Sequence, residues 1–369
     1  MELPGGVVVW AITHHDALQR LLADPRIGKD PRLWNEFREG RLPADWPLRS
    51  FVTVPGMVTA DGEDHRRLRG LVSQAFTPRR IAELQPRIER LTDELLTAVA
   101  GLQGPFDLRA HFAYPLPMQV IGELLGLDPS QQDELHVLSD TLVSSSATAE
   151  RAAAANQGLF ALLGSVVAAK REQPGEDLTT ALIAAREADD RLTEIELVGT
   201  MLLMLIAGHE TTLNLITNAV RALLAHPEQL RLVLDGEVGW AAVVEETLRY
   251  DSPVGQFPLR YAAEPIEVGG VLIRAGEAIL ASYAAVGRDE GHYPEADRFD
   301  LTRAQTRHLS LGHGPHFCLG AGLARLEAET ALRELFGRYP GLALAEGKPA
   351  PVPLPSFIGN SVRQLYVTV

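Results

Sequence analysis

Apolar residues recur along most of this chain at the three- and four-residue spacing of helices, and only in short stretches at the alternation of strands. The helical spacing predicts helices over His15–Ala23, Asp64–Phe76, Pro78–Ala100, Ser130–Val143, Ala152–Lys170 and Leu178–Glu187. Thr77-Pro78 supplies a cap followed by proline at the first helical position. Thr193 with Glu196 three residues later forms a capping box, in which each side chain satisfies the other's free amide. The long helix it opens runs to Ala225, where His226-Pro227 stops it. A further helix, Trp240–Tyr250, ends at Asp251-Ser252-Pro253. Alternating stretches predict strands at Val7–Thr13, Phe257–Ala262, Ile266–Val268, Val271–Ile273 and Ala278–Tyr283, with Gly269-Gly270 as a turn. A last helix is expected over Cys318–Arg338 and a last strand over Arg363–Val369. The fold class is therefore mainly α with small β sheets. No repeating βαβ pattern is present, which argues against a doubly wound parallel sheet.

Composition narrows the function classes. With 369 residues, 46% of them hydrophobic, the chain can bury a large core. A net charge of −14 argues against nucleic acid or anionic membrane as a partner. One cysteine cannot form an internal disulfide, so nothing points to an oxidising compartment. Met1–Gly6 lacks a cationic region followed by an apolar one. The longest apolar run, Leu197–Ala207, falls short of the roughly twenty residues a membrane helix needs. A cytoplasmic protein without a membrane partner is expected.

The lone Cys318 lies in LSLGHGPHFCLGAGLARLEA, Leu309–Ala328. At a helix start, free amides and the helix dipole would lower its thiol pKa. Three readings stand. A single cysteine is most often a small buried hydrophobe. A nucleophile would want a base, and His316 is two residues away. An axial thiolate to haem iron would want a glycine-rich loop that lets the backbone pass under a flat ring, and Gly312, Gly314 and Gly320 supply one.

The stretch Leu311–Gly320 resembles the haem-binding loop of cytochrome P-450 monooxygenases, Phe-Gly-x-Gly-x-His-x-Cys-x-Gly, with Leu311 where phenylalanine is usual. The resemblance implies a cytochrome P-450 fold, with a long kinked central helix over haem b and Cys318 as the iron ligand. Ala207-Gly208-His209-Glu210-Thr211-Thr212 resembles the family's oxygen-binding kink. There Thr211 can bond back to the Ala207 carbonyl and open the helix, and Glu210 with Thr211 would form a solvent-linked acid–alcohol proton relay. His209-Glu210 does not open a zinc-protease motif, because Leu213 stands where the second histidine would be. Glu246-Thr247-Leu248-Arg249 resembles the family's structural Glu-x-x-Arg, which locks to a segment like Pro294–Phe299. His65 and Arg69 in DHRRLR, Arg260 and His316 match the family's haem-propionate partners.

The resemblance covers essentially residues 1–369, read as one domain. It is closest to soluble actinobacterial members, though Met1 falls almost on the first strand where the family usually has an earlier helix. It implies an oxidoreductase of the EC 1.14 class. Such an enzyme inserts one oxygen atom from O₂ into an apolar molecule of steroid, macrolide, terpenoid or cyclic dipeptide type. Electrons would come from NAD(P)H through a ferredoxin reductase and an acidic ferredoxin. Substrate-facing positions would be Met57, Leu203, Ala207, Val254, Gln256, Phe257, Phe357 and Ile358, with Gln256 and Asn360 as polar handles. Two acid-free basic stretches, His65–Ala82 and Leu301–Leu326, ask for anionic neighbours, and Arg66, Arg67 and Arg79 are expected to dock the donor. A peroxide-driven peroxygenase, a non-catalytic haem-binding protein and a haem-free cysteine hydrolase are the alternatives.

Overall fold

A computed structural model describes residues 1–53, 56–143, 148–189, 192–305 and 307–369. The capping box at Thr193 closes in both directions. Glu196 N donates to Thr193 Oγ1 at 3.1 Å, and Thr193 N donates to Glu196 Oε2 at 2.8 Å. From this cap the central helix runs unbroken over Glu194–Ala225. The expected kink does not interrupt it. Helices Pro115–Leu124, Ala149–Glu172, Trp240–Tyr250 and Ala321–Arg338 pack around it. Leu197, Met201, Leu205, Ile216 and Leu223 are buried there, and truncating any of these leucines to alanine should cost about 2–5 kcal/mol.

Six predicted elements have the predicted bounds, His15–Ala23, Pro78–Ala100, Trp240–Tyr250, Phe257–Ala262, Ile266–Val268 and Val271–Ile273, while Val7–Thr13 splits into two strands and the strands expected at Ala278–Tyr283 and Arg363–Val369 shorten to Ala278–Ala281 and Tyr366–Thr368. Helices Pro115–Leu124 and Pro227–Leu234, and the short ones Asn35–Arg38, Arg49–Thr53 and Tyr283–Val286, were not expected. Pro227 was read as a stop for the preceding helix, yet proline is equally suited to the first helical turn, where Pro115 also stands. The last helix starts at Ala321, three residues after Cys318. Ala149–Glu172 is longer than expected. Over Glu150–Glu172 it is, by length and composition, apolar enough to cross a membrane, a property its scattered alanines hide from a search for unbroken apolar runs. Leu159, Leu163, Val166 and Val167 on this helix are buried in the core.

The main sheet has four strands in the order Trp10–Ile12, Ala278–Ala281, Phe257–Ala262, Ile27–Gly28. The first pair is parallel and the others are antiparallel. A second sheet joins Ala343–Leu344, Tyr366–Thr368 and Phe106–Asp107. Val7–Val8 pairs separately with Glu2–Leu3.

Glu246 and Arg249 pin the C-terminal half. Both are buried, at 3% and 0% exposed. Arg249 Nε and Nη2 donate to Glu246 Oε2 and Oε1 at 2.8 and 2.7 Å. The remaining donors reach the carbonyls of Gly287, Ala296 and Arg298 at 2.7–2.8 Å. Glu246 Oε1 also accepts from Asp300 N at 2.8 Å. One buried ion pair thus clamps the segment from Gly287 to Asp300, which leads into the cysteine loop.

Candidate functional site

The cysteine loop is shaped by short backbone bonds. Gly312 N donates to Leu309 O at 2.7 Å, and Cys318 N donates to Leu311 O at 2.8 Å. Gly312 and Gly314 both have positive φ, 75° and 71°. A Cβ on Gly314 would lie 2.5 Å from Leu22 O, so only glycine lets the loop seat on helix His15–Ala23. Because the next helix begins at Ala321, Cys318 lies in the loop and not on the helix N-terminus. Burial pushes its thiol up, against the opposing pull of the Gly320 N–H and the Arg69 and Arg325 charges. This reverses the lowering expected from the sequence. A neutral, half-buried thiol of this kind ionises outright when a metal ion takes the sulfur.

Helix Gly62–Ser73 brings its cationic face to this loop. The His65 and His316 rings lie 4.1 Å apart. Arg69 Nη2 donates to Phe317 O, the carbonyl just before Cys318, at 2.7 Å. Arg260 is 6% exposed, and its charge is felt by His316. His65, Arg69, Arg260 and His316 therefore gather at one place from three parts of the chain. A shallow cleft beside them is lined by His65, Arg66, Arg69, Gly70, Ser73 and Pro315.

Two further residues belong here that the sequence did not reveal. Lys29, 4% exposed, donates from Nζ to the carbonyls of Pro258 and Leu259 at 3.2 and 2.9 Å. Burial and the neighbouring Arg260 charge hold its ammonium well below the usual lysine range. Asp61 Oδ2 accepts from Lys29 N and Asp30 N at 2.7 and 2.9 Å, while Oδ1 lies 3.7 Å from His316 Nε2. Burial, reinforced by the His316 and Arg69 charges, pushes His65 down to about 4, and its Nε2 is buried without a hydrogen-bond partner. Buried Arg260 and half-buried Arg69, with a lysine and two histidines whose cationic forms burial disfavours and an orphaned imidazole nitrogen, make a donor set suited to an anion. A haem, with iron for the sulfur and two propionates for the cations, fits this donor set.

The central helix carries a further set of the expected site residues. Most of its residues are buried, but Leu203, Ile206, Ala207, Glu210 and Thr211 are not. Their spacing of three and four places Leu203, Ala207 and Thr211 on one face. Thr211 Oγ1 donates to Ala207 O at 2.6 Å. Glu210 is not simply open to solvent as expected. Its Oε1 accepts from Arg109 Nη2 at 3.4 Å and from Asn214 Nδ2 at 3.3 Å. Val254, Gln256, Phe257, Phe357 and Ile358 are half-buried, and Met57 is buried. Asn360 is not a polar handle, because its Nδ2 donates to Asp251 Oδ1 and Ser252 O at 2.9 and 2.8 Å. Arg66 and Arg79 are exposed. Arg67 is diverted from docking into an ion pair with Glu196 at 2.7 Å.

Among the described residues, one other cluster has donors close enough for a metal: His15, Asp16 and His292. The two rings are stacked at 3.4 Å, and both Nδ1 atoms lie 3.1 Å from the same Asp16 oxygen. Both nitrogens are thus already directed at one carboxylate oxygen. Together with Asp289 Oδ2, which accepts from His15 N at 2.8 Å, the cluster latches the start of helix His15–Ala23.

The cytochrome P450 family model matches residues 240–359. Cytochrome P450 107B1 of Saccharopolyspora erythraea is 43% identical over 92% of this chain and 84% of its own length. Vitamin D(3) 25-hydroxylase of Pseudonocardia autotrophica is 41% identical over 100% of this chain and 90% of its own. Testosterone-bound CYP154C4 of Streptomyces sp. superposes with a TM-score of 0.96 at 46% identity, covering 99% of this chain and 91% of that one.

Proposed function

The chain belongs to the cytochrome P450 family, whose similar members are monooxygenases, and from that premise we propose that it inserts one oxygen atom from O₂ into an apolar molecule of steroid or macrolide size. Two relatives 40% identical to it are named 6-deoxyerythronolide B hydroxylase and cytochrome P450 monooxygenase PikC, and a steroid occupies the similar structure above. Terpenoids and cyclic dipeptides remain within the same apolar class. Electrons come from NAD(P)H through a ferredoxin reductase and an acidic ferredoxin, received near Arg66 and Arg79. The setting is cytoplasmic.

The observation that carries this reading is the half-buried Cys318 sulfur on a loop docked against Arg69, His65 and the buried Arg260. Haem b, held by Cys318, supplies the iron chemistry that activates O₂. His65, Arg69, Arg260 and His316, with the buried Lys29 nearby, would hold its propionates. The face of Leu203 and Ala207, with Val254, Phe257, Phe357 and Ile358, takes the apolar substrate and keeps bulk water out. Thr211 presents a hydroxyl whose own proton is committed to Ala207 O, leaving its oxygen free to accept. Glu210 feeds that hydroxyl with protons from the solvent side. Glu246 and Arg249 act only as the clamp behind the loop.

The reading is tested on purified, haem-loaded protein. Displacement of the iron-bound water shifts the haem absorbance, so a steroid and macrolide screen by that shift identifies substrates. Turnover with ferredoxin and NAD(P)H, but not with peroxide alone, is expected. Turnover with peroxide alone would make the protein a peroxygenase, and binding without turnover would make it a carrier.

A further inference from the structure

Among the described residues, the cluster of His15, Asp16 and His292 joins two parts of the chain that both support the cysteine loop. His15 and Asp16 open helix His15–Ala23, while His292 lies in the segment from Gly287 to Asp300 that Glu246 and Arg249 clamp. The His15 and His292 rings stack with centroids 3.4 Å apart and planes 17° apart. Nδ1 of each ring lies 3.1 Å from Asp16 Oδ1, and the three donor atoms all fall within 4.8 Å of one another. Ligands bound at about 2.0–2.2 Å to a tetrahedral zinc ion stand roughly 3.3 Å from one another. Two of the three edges are therefore already close to that length. The supports a metal site needs are also present. The Gln305 amide lies 2.6 Å from His292 Nε2. With its oxygen turned to that nitrogen it accepts the Nε2 proton and leaves Nδ1 bare for a metal, the outer contact that ligating histidines carry. Asp289 Oδ2 accepts from His15 N at 2.8 Å, which fixes where the helix, and with it the His15 ring, begins.

We propose that His15, Asp16 and His292 bind one divalent cation of the zinc type, with water in the remaining position. The two side-chain imidazoles, 3% and 18% exposed, are the fixed partners. An ion at about 2.0–2.1 Å from both nitrogens sits just inside the place that Oδ1 now takes. The Asp16 side chain is 75% exposed, so its carboxylate draws back by about 1 Å and stays as the third ligand. That exposure also opens the outer side of the ion to water. Two imidazoles and one carboxylate suit zinc and its neighbours, whereas magnesium and calcium prefer oxygen alone. Asp16 and Asp289 place two carboxylates in the cluster, which offsets the charge of a divalent ion. The ion ties helix His15–Ala23 to the clamped segment. The same helix seats the cysteine loop, because Gly314 packs against Leu22 O where a Cβ would lie only 2.5 Å away. The metal thus braces the support of the loop without touching the cofactor, and the site stands whatever the protein oxidises.

The test uses haem-loaded protein stripped of free metal by a chelator, with Zn²⁺ alone as the probe. Equilibrium dialysis counts the zinc bound per chain, and thermal unfolding with and without Zn²⁺ reads its effect on the fold. One equivalent should bind, and the unfolding midpoint should rise with Zn²⁺ concentration. His292→Gln and Asp16→Asn should each weaken binding by roughly tenfold or more and shrink that rise. The His14 side chain, 81% exposed and turned to Asp289 at 3.6 Å, is the control, and His14→Ala should keep both effects. Mg²⁺ at the same concentration should produce neither. No zinc bound at a roughly tenfold molar excess overturns the proposal, as does binding that survives both substitutions. A loss in His14→Ala as large as that in His292→Gln also overturns it, because the metal would then be held by whichever exposed imidazoles are nearest. Binding of Mg²⁺ as tight as that of Zn²⁺ overturns it as well. His292→Gln removes a ring stack along with a ligand, so should that variant fail to fold, Asp16→Asn, at an exposed carboxylate, is read against the same outcomes.

Discussion

Arg69 donates a hydrogen bond from Nη2 to the carbonyl of Phe317, at 2.7 Å, one residue before the cysteine. The same guanidinium therefore braces the loop that carries the sulfur and adds positive charge beside it. Its helix also carries His65, whose ring lies against His316 of that loop. Arg69→Gln should release haem roughly tenfold faster, by the cost of one lost charge-assisted hydrogen bond. Haem transfer to an excess of apomyoglobin measures this. An unchanged release rate would remove Arg69 from the cofactor site.

The Glu246–Arg249 clamp has a different signature. Arg249→Ala leaves the buried Glu246 carboxylate with only the Arg303 guanidinium, at 3.4 Å, as a charged partner and takes the donor from the Gly287 and Ala296 carbonyls, so it should cost about 3–5 kcal/mol. Denaturant unfolding reads the loss. Replacing both residues by leucine should cost less than Arg249→Ala alone, because the buried carboxylate is removed with its partner. A cost for the double change equal to or above that of the single would mean that packing, not charge, dominates.

Thr211→Ala removes a hydroxyl without altering the charge of the site. Product formed per NAD(P)H should fall by roughly tenfold while substrate affinity holds. Full coupling in this variant would place the proton route elsewhere.

Glu327 offers a test of pH dependence outside the site. It is 2% exposed, its Oε2 has no hydrogen-bond partner, and burial alone pushes its carboxyl up to about 8. The folded protein thus keeps a proton that the unfolded chain loses near 4.5, so this group's contribution to stability declines as pH rises from about 4.5 to about 8. Glu327→Gln should be nearly neutral at pH 4 and stabilising by on the order of 4 kcal/mol at pH 8. A stability difference that does not change with pH would show that Glu327 is ionised in the fold.

Much of this was legible in the sequence because the signals were local. The Thr193–Glu196 box, the Glu246–Arg249 spacing and the Thr211-to-Ala207 bond all act within one helical turn, so spacing alone encodes them. The gathering of His65, Arg69, Arg260 and His316 was reached through resemblance, since no local pattern joins residues so far apart in the chain. Lys29, Asp61 and Arg109 had no signal at all. Lys29 reaches carbonyls 229 and 230 residues away, and Arg109 meets Glu210 across 101. The direction of the Cys318 thiol shift was misjudged for a related reason. The sequence shows glycines and a helix to follow, but not that Gly320 lies outside that helix or how much protein surrounds the sulfur.

The most direct measurement is the absorbance of the reduced, CO-bound protein before and after Cys318→Ala. The wild-type chain should show the red-shifted band of a thiolate-ligated haem, and the variant should lose it while Arg109→Lys keeps it. A variant spectrum identical to the wild type would mean that the sulfur does not hold the iron.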